Sequence, residues 1–183
     1  FDGIVSTSHC VAKGVMLREG QRHLAYVHSP MRYIWDQLPH YLPGPKALSP
    51  LVEPLARLGT IPLRNWDRAS SQRPTALVAN SGFVAQRIER YWGRKATVLH
   101  PPVDTEFFAA GKRRERAGYL VVSALVPYKK NELAVQWAND SGQPLTVIGN
   151  GSELAPLKAM AGKSVSFIEN ASREQVRAAY QAA

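Results

Sequence analysis

The second half of the chain repeats one pattern three times, and that repetition restricts the fold more than any other feature of the sequence. From Tyr119 onward short apolar runs alternate with helical patterns: strand 119–123, helix 131–140, strand 145–148, helix 152–161, strand 164–168, helix 173–182. Such runs, rich in β-branched residues, are too short for helices and read as buried parallel strands. Their strict alternation with helices predicts an α/β fold with a parallel, doubly wound sheet. The central run is Tyr119-Leu120-Val121-Val122-Ser123-Ala124-Leu125-Val126-Pro127-Tyr128-Lys129-Lys130, after which the period shifts to Leu133, Ala134, Trp137 and Ala138. Strand, loop and helix in that order put the lysines near a strand's C-terminal end and a helix's N-terminus. Open α/β sheets bind ligands there, and helix N-termini favour anions. Lys129 is therefore expected to hold a phosphate.

Two further loops are expected at the same edge. Gly149-Asn150-Gly151-Ser152-Glu153 follows the strand Leu145-Thr146-Val147-Ile148 and opens a helix. Its glycines would let the backbone approach a ligand, although glycine-bearing turns of this kind also occur for packing alone. Glu169-Asn170-Ala171-Ser172 is the third loop, with Ser172 placed to cap the last helix. Three loops, one of them cationic, suit a nucleotide or a nucleotide-sugar.

The first half reads as a related but less regular α/β segment. Phe1 to Ser6 is a strand candidate running into Thr7-Ser8-His9-Cys10, and His23-Leu24-Ala25-Tyr26-Val27-His28 is a second. His28 falls where that strand ends, because Ser29-Pro30 breaks it. Met31 to Leu38 predicts one or two helical turns, and prolines 39, 43, 45 and 50 enforce an irregular segment. Leu51, Leu55, Leu58, Ile61 and Trp66 have helical spacing interrupted near Gly59 and Pro62, which predicts one bent helix or two packed pieces. Ala76 to Asn80 is a strand. Ser81 caps a helix with Phe83, Val84, Ile88 and Tyr91 on one face, ending near Gly93. Ala96 to Leu99 is a short strand. Residues 100–117 lack periodicity and form the linker between a domain over 1–99 and a second over 118–183.

Composition narrows the function classes. A chain of 183 residues has room for a real core, and no apolar run approaches the roughly 20 residues of a membrane-spanning helix. The net charge of +9 can attract nucleic acid, an anionic membrane face or a phosphorylated substrate. No recognisable nucleic-acid module accompanies it, and no nucleic-acid partner is assigned. The cluster Lys112-Arg113-Arg114-Glu115-Arg116 reads as a solvated linker, with peripheral attraction to anionic lipid as its functional alternative. A lone cysteine, Cys10, fits a reducing, cytoplasmic location, and as a small packed residue it needs no chemistry. The histidines are scattered and no metal-ligand spacing occurs, so no metal and no resident cofactor are expected. The start at Phe1-Asp2-Gly3 reads as the middle of a strand and the end at Ala183 as part of a helix, so the chain is expected to be a fragment.

Five stretches, in order and spacing, carry a family resemblance. They are Tyr26-Val27-His28-Ser29-Pro30-Met31-Arg32-Tyr33-Ile34-Trp35-Asp36; Val78-Ala79-Asn80-Ser81 with Arg87-Ile88; and His100-Pro101-Pro102-Val103-Asp104-Thr105-Glu106-Phe107-Phe108. Val122 to Lys130 and Val147 to Glu153 complete the set. Together they resemble the group 1, or family four, retaining glycosyltransferases of GT-B architecture, and most nearly the bacterial mannosyl- or rhamnosyl-type enzymes of polysaccharide assembly. The resemblance implies two Rossmann-like domains, a nucleoside-diphosphate sugar as co-substrate on the C-terminal one, and a glycan or lipid-linked acceptor facing the N-terminal one. It implies catalytic roles for His28, near the donor sugar, and for Lys129, which would offset charge on the leaving diphosphate without a metal. Ser123, Lys130, Gly149, Asn150, Gly151 and Ser172 would join Lys129 in donor binding. Arg32, Tyr33 and Asp36 would shape the acceptor side, although helix packing accounts equally well for Tyr33 and Trp35. Asn80-Ser81 is expected to be a cap, and the Pro-Pro-Val-Asp stretch a hinge.

Three departures from the family pattern stand out. Ala124 replaces an arginine that often shares the diphosphate, so Lys130 or a neighbour is expected to compensate. Asn150 and Ser152 stand where Asp and Pro are common. The family's downstream Glu-x7-Glu segment and its early glycine-rich loop would lie outside the sequence, which on this reading is inactive by itself. The expected function is transfer of a sugar, mannose being one choice, from a nucleotide donor to a growing glycan at the inner face of the membrane. The alternative is a non-catalytic nucleotide- or glycan-binding domain on the same fold.

Overall fold

Parallel strands followed by helices make up both halves of the chain, which divides into two compact units, Phe1–Pro102 and Val103–Ala183. The structure is a computed structural model that describes residues 1–38, 52–109 and 117–183. The prolines at 39, 43, 45 and 50, Leu51 and the basic cluster at 112–116 lie outside the described residues. The division between the units falls within the 100–117 segment that sequence assigns to the linker.

Unit 1 holds β1 (Gly3–Ser8), β2 (Arg22–Val27), β3 (Ala76–Ala79) and β4 (Thr97–Val98), all parallel and in the order β1-β2-β3-β4. Strand alternation sends His23, Ala25, Val27, Leu77 and Ala79 to one face, where all are buried. That face is covered by α3 (Gly82–Trp92) through Val84, Ile88, Tyr91 and Trp92. The opposite face leaves Val5 76% and Leu24 41% exposed. The described strands of both units follow one another across their sheets in chain order. Ser81 starts α3 by accepting the Val84 N–H at 3.2 Å, and Gly93, at φ 67°, ends it in the left-handed conformation.

Between β2 and β3 lie α1 (Arg32–Trp35) and α2 (Val52–Ser70), a single helix that runs through Pro62. The face α2 buries is not the apolar one. Leu55, Leu58, Ile61 and Trp66 are exposed, whereas Thr60, Asp67 and Ser70 are buried. The reason is the Asp67 carboxylate, fully buried, which accepts from Lys13 Nζ at 2.6 Å, Trp35 Nε1 at 2.7 Å and Trp92 Nε1 at 2.6 Å. Lys13 is buried too, 4.9 Å from the ring centroids of both Trp66 and Trp92. A charge-assisted hub of this kind fixes which face of the helix turns inward, because leaving the buried carboxylate unpaired would be costly. Several arginines also end on main-chain carbonyls: Arg64 on Ile34, Arg68 on Tyr91, Arg73 on Gly14, and Arg94 on both Ser71 and Pro74.

Unit 2 contains β5 (Tyr119–Val122), β6 (Leu145–Ile148) and β7 (Val165–Ile168), parallel and in that order. α4 (Asn131–Ser141) and α5 (Leu154–Met160) pack on one face, enclosing Leu125, Val135, Ala138, Leu145, Val147 and Leu157. Here the predicted α4 stripe is half right: Ala138 is buried, but Leu133 is 63% exposed and Trp137 lies at the edge against Tyr119. Leu120 and Thr146 alternate with the core positions Val121 and Val147, so they look to the other face. They line a small recess with Ala179 and Ala182 of α6 (Arg173–Ala182), and the Ala182 carbonyl takes the Ala117 N–H. Unit 2 thus carries helices on both faces. Arg173 fastens the 103–109 segment to α6, bonding Asp104 at 2.5 Å with its guanidinium 4.2 Å from the Phe107 ring centroid. The backbone N–H of Phe107, and then Arg173, hold the Asp104 carboxyl below its ordinary pKa.

Candidate functional site

Three loops of unit 2 meet at the C-terminal edge of its sheet, stitched by main-chain bonds. The Ser123 N–H reaches the Ile148 carbonyl at 3.0 Å, Leu125 N–H the Asn150 carbonyl at 2.8 Å, and Glu153 N–H the Leu125 carbonyl at 2.9 Å. Gly149 N–H bonds the Ile168 carbonyl at 3.2 Å, and the Asn150 and Asn170 side-chain amides lie 2.8 Å apart. The glycines have a definite reason. At both Gly149 and Gly151 φ is 153°, and a Cβ would stand 1.9 Å from the Ser123 carbonyl oxygen at the first and 2.2 Å from that of Leu125 at the second. The close approach is therefore loop against loop, and no ligand is needed to explain it.

This stitched edge carries the lysines. Lys129 ends a single 3₁₀ turn, Pro127–Lys129, and is exposed, its ammonium 5.6 Å from the Tyr128 ring centroid. Lys130 follows at φ 55° and pairs with Glu132 at 3.5 Å, so the compensation expected of it for Ala124 is shared with a carboxylate of its own helix. The Ala124 carbonyl instead collects the Ser123 hydroxyl at 3.0 Å and the buried Asn131 amide at 3.3 Å, which ties the loop to the start of α4. Ser172 caps α6, as its position in the sequence predicts. Its hydroxyl accepts the Gln175 N–H at 3.2 Å and meets the Glu174 carboxylate at 2.9 Å, as half of a capping box. The backbone N–H of Glu174, and then the Ser172 hydroxyl, hold the Glu174 carboxyl below its ordinary pKa.

Unit 1 forms a separate cavity of about 460 Å³ at the corresponding edge of its own sheet. His9 follows β1, His28 and Ser29 follow β2, and Phe83, Val84 and Arg87 come from α3, with Arg32 and Gln37 completing the wall. The His28 ring lies 2.9 Å from the Thr7 hydroxyl through Nε2 and packs edge-on to Tyr26. Of the acceptor-side residues named from sequence, Arg32 reaches this wall. Asp36 instead holds Arg87 through both carboxylate oxygens and accepts from the Tyr91 hydroxyl at 3.3 Å. The Tyr33 hydroxyl meets Cys10 Sγ at 2.9 Å and Met31 Sδ at 3.2 Å, which are packing contacts. Ser81 is a cap, as expected, and its hydroxyl also donates to Asn80.

Sequence reasoning missed His9, Gln37 and the wall position of Arg87. Arg87 had a signal: a charged residue on the same helical face as Val84, Ile88 and Tyr91 requires a partner. Among the described residues no group of His, Cys, Asp or Glu side chains could hold a metal ion, and no described helix is long and apolar enough to cross a membrane. No family model matches this chain, and no curated protein matches it.

Proposed function

We propose that this chain supplies the donor and acceptor folds of a retaining glycosyltransferase of GT-B architecture, moving a sugar from a nucleoside diphosphate to a glycan or lipid-linked acceptor. The observation that carries the reading is the stitched loop edge of unit 2. There a rigid backbone frame presents Lys129 beside the first turn of α4, at the carboxyl ends of parallel strands. An ammonium in that position stabilises the negative charge that collects on a departing diphosphate. Ser123, Asn150 and the backbone of Gly149–Gly151 frame the phosphates, with the base and ribose extending along the same edge. His28, at the end of β2 and bordering the unit 1 cavity, offers a ring nitrogen to a sugar hydroxyl. No carboxylate nucleophile is assigned.

Titration calorimetry with GDP and UDP tests this directly. The chain binds at least one of them, and Lys129→Ala weakens that binding about tenfold or more, the worth of a hydrogen bond to a charged group. Where sugar transfer is measurable, the same change lowers kcat about 100-fold or more. Equal affinity in a folded Lys129→Ala variant overturns the lysine's role. Failure of the folded chain to bind either GDP or UDP overturns the donor site.

A further inference from the structure

α2 turns its polar side toward the protein and its apolar side outward. Thr60, Asp67 and Ser70 are buried against the rest of unit 1. Leu55, Leu58, Pro62 and Trp66, at positions i, i+3, i+7 and i+11, form one stripe facing away from them, with Ile61 beside it. Leu55 is 64% exposed, Leu58 60%, Ile61 48% and Trp66 38%. The loop after β1 meets the helix here: a Cβ added at Gly14 would lie 3.0 Å from the Trp66 ring, which brings the exposed Val15 and Met16 close to the stripe. An exposed apolar surface spanning several helical turns marks a place where something docks.

The charged groups along this stripe are cationic. From Pro54 to Ser70 the sole carboxylate is Asp67, which is buried and paired with Lys13. Arg64 and Arg68 follow Ile61 at i+3 and i+7 and so edge the stripe, and each donates its Nε to a main-chain carbonyl, of Ile34 and Tyr91 respectively. Arg73 bonds the Gly14 carbonyl beside Trp66. A carbonyl holds a guanidinium in place without cancelling its charge. An apolar stripe with a tryptophan, edged by cations and free of exposed acids, matches a helix lying in the plane of an anionic bilayer. α2 is not long and apolar enough to cross a membrane, which leaves the in-plane orientation for it. A second copy of the chain fits less well. In a two-fold contact the same arginines would face one another, and the net charge of +9 adds to that repulsion.

We propose that α2 docks unit 1 onto an anionic lipid bilayer. Leu55, Leu58, Ile61 and Trp66 enter the boundary between headgroups and acyl chains, and Arg64, Arg68 and Arg73 meet the lipid phosphates. The inference stands apart from the glycosyltransferase reading: a chain that binds neither GDP nor UDP can still dock.

The test sediments the full chain with vesicles of phosphatidylcholine alone, and of phosphatidylcholine mixed equally with phosphatidylglycerol, in low and high salt. The chain partitions onto the anionic vesicles at least about tenfold more strongly than onto the neutral ones. High salt weakens this binding without abolishing it, because the apolar contribution is not screened. Leu55→Gln with Leu58→Gln weakens it about tenfold or more, since each leucine gives up the burial it gains in lipid. Both side chains are exposed in the free chain, so circular dichroism and the melting midpoint stay unchanged. Arg68→Gln, in a chain checked for fold in the same way, weakens anionic binding about fivefold and leaves neutral vesicles unaffected. No binding to the anionic vesicles, or equal binding to the neutral ones, overturns the proposal. Binding indifferent to the two leucines overturns it as well, because charge alone would then hold the chain. Self-association seen by light scattering and abolished by the leucine pair, without vesicle binding, overturns it in favour of a second copy.

Discussion

Asp67 shows how much one buried side chain can organise. Its carboxylate draws an ammonium and two indoles from three separate segments, so α1, α2, α3 and the loop after β1 converge on a single charge. Removing that charge without changing shape leaves Lys13 buried and unpaired. Asp67→Asn therefore costs about 3–5 kcal/mol, read as a lower urea midpoint for unit 1. His23 supplies the molecule's clearest pH term. It is fully buried on β2, its Nε2 lies 2.7 Å from the Ser6 hydroxyl, and its Nδ1 has no partner. Burial lowers its pKa from the ordinary 6.5, so below that value the unfolded chain takes up a proton that the fold resists. Stability is complete above about pH 6.5 and declines as the pH falls below it. Unfolding midpoints measured between pH 5 and 8 show this slope, and His23→Gln flattens it.

Among the elements, the loops of unit 2 have the narrowest tolerance. Gly149→Ala places a methyl group where the Ser123 carbonyl already lies, and the frame must open. The expected cost is at least about 1–3 kcal/mol of unit 2 stability, together with weaker nucleoside-diphosphate binding, measured by thermal melts and calorimetry. The strands and helices of unit 2 were legible in the sequence because each is a short apolar run followed by a helical period, and the cap at Ser81 was legible for an equally local reason. α2 was not legible. Apolar spacing pointed to Leu55, Leu58 and Ile61, yet the helix turns Thr60, Asp67 and Ser70 inward, since the partners of Asp67 are 25 to 54 residues away in sequence. The contacts of Tyr33 and Asp36 were not legible for the same reason: nothing local to either announces Cys10 or Arg87 as its partner.

At the scale of the molecule, the charge of +9 is not a uniform coat. Arg64, Arg68, Arg73, Arg87 and Arg94 are anchored within unit 1, where they brace carbonyls and a carboxylate. Lys129, by contrast, is exposed at the loop edge of unit 2. The indoles are also unevenly divided, and this has a practical outcome. Trp35, Trp66 and Trp92 surround the Lys13–Asp67 pair, leaving Trp137 as the sole indole of Val103–Ala183. Intrinsic emission is thus a reporter weighted toward the amino-terminal half. A spectroscopist following denaturation by that glow alone would be watching one half of the protein and would need circular dichroism, or a fluorophore added beyond Val103, to see the other.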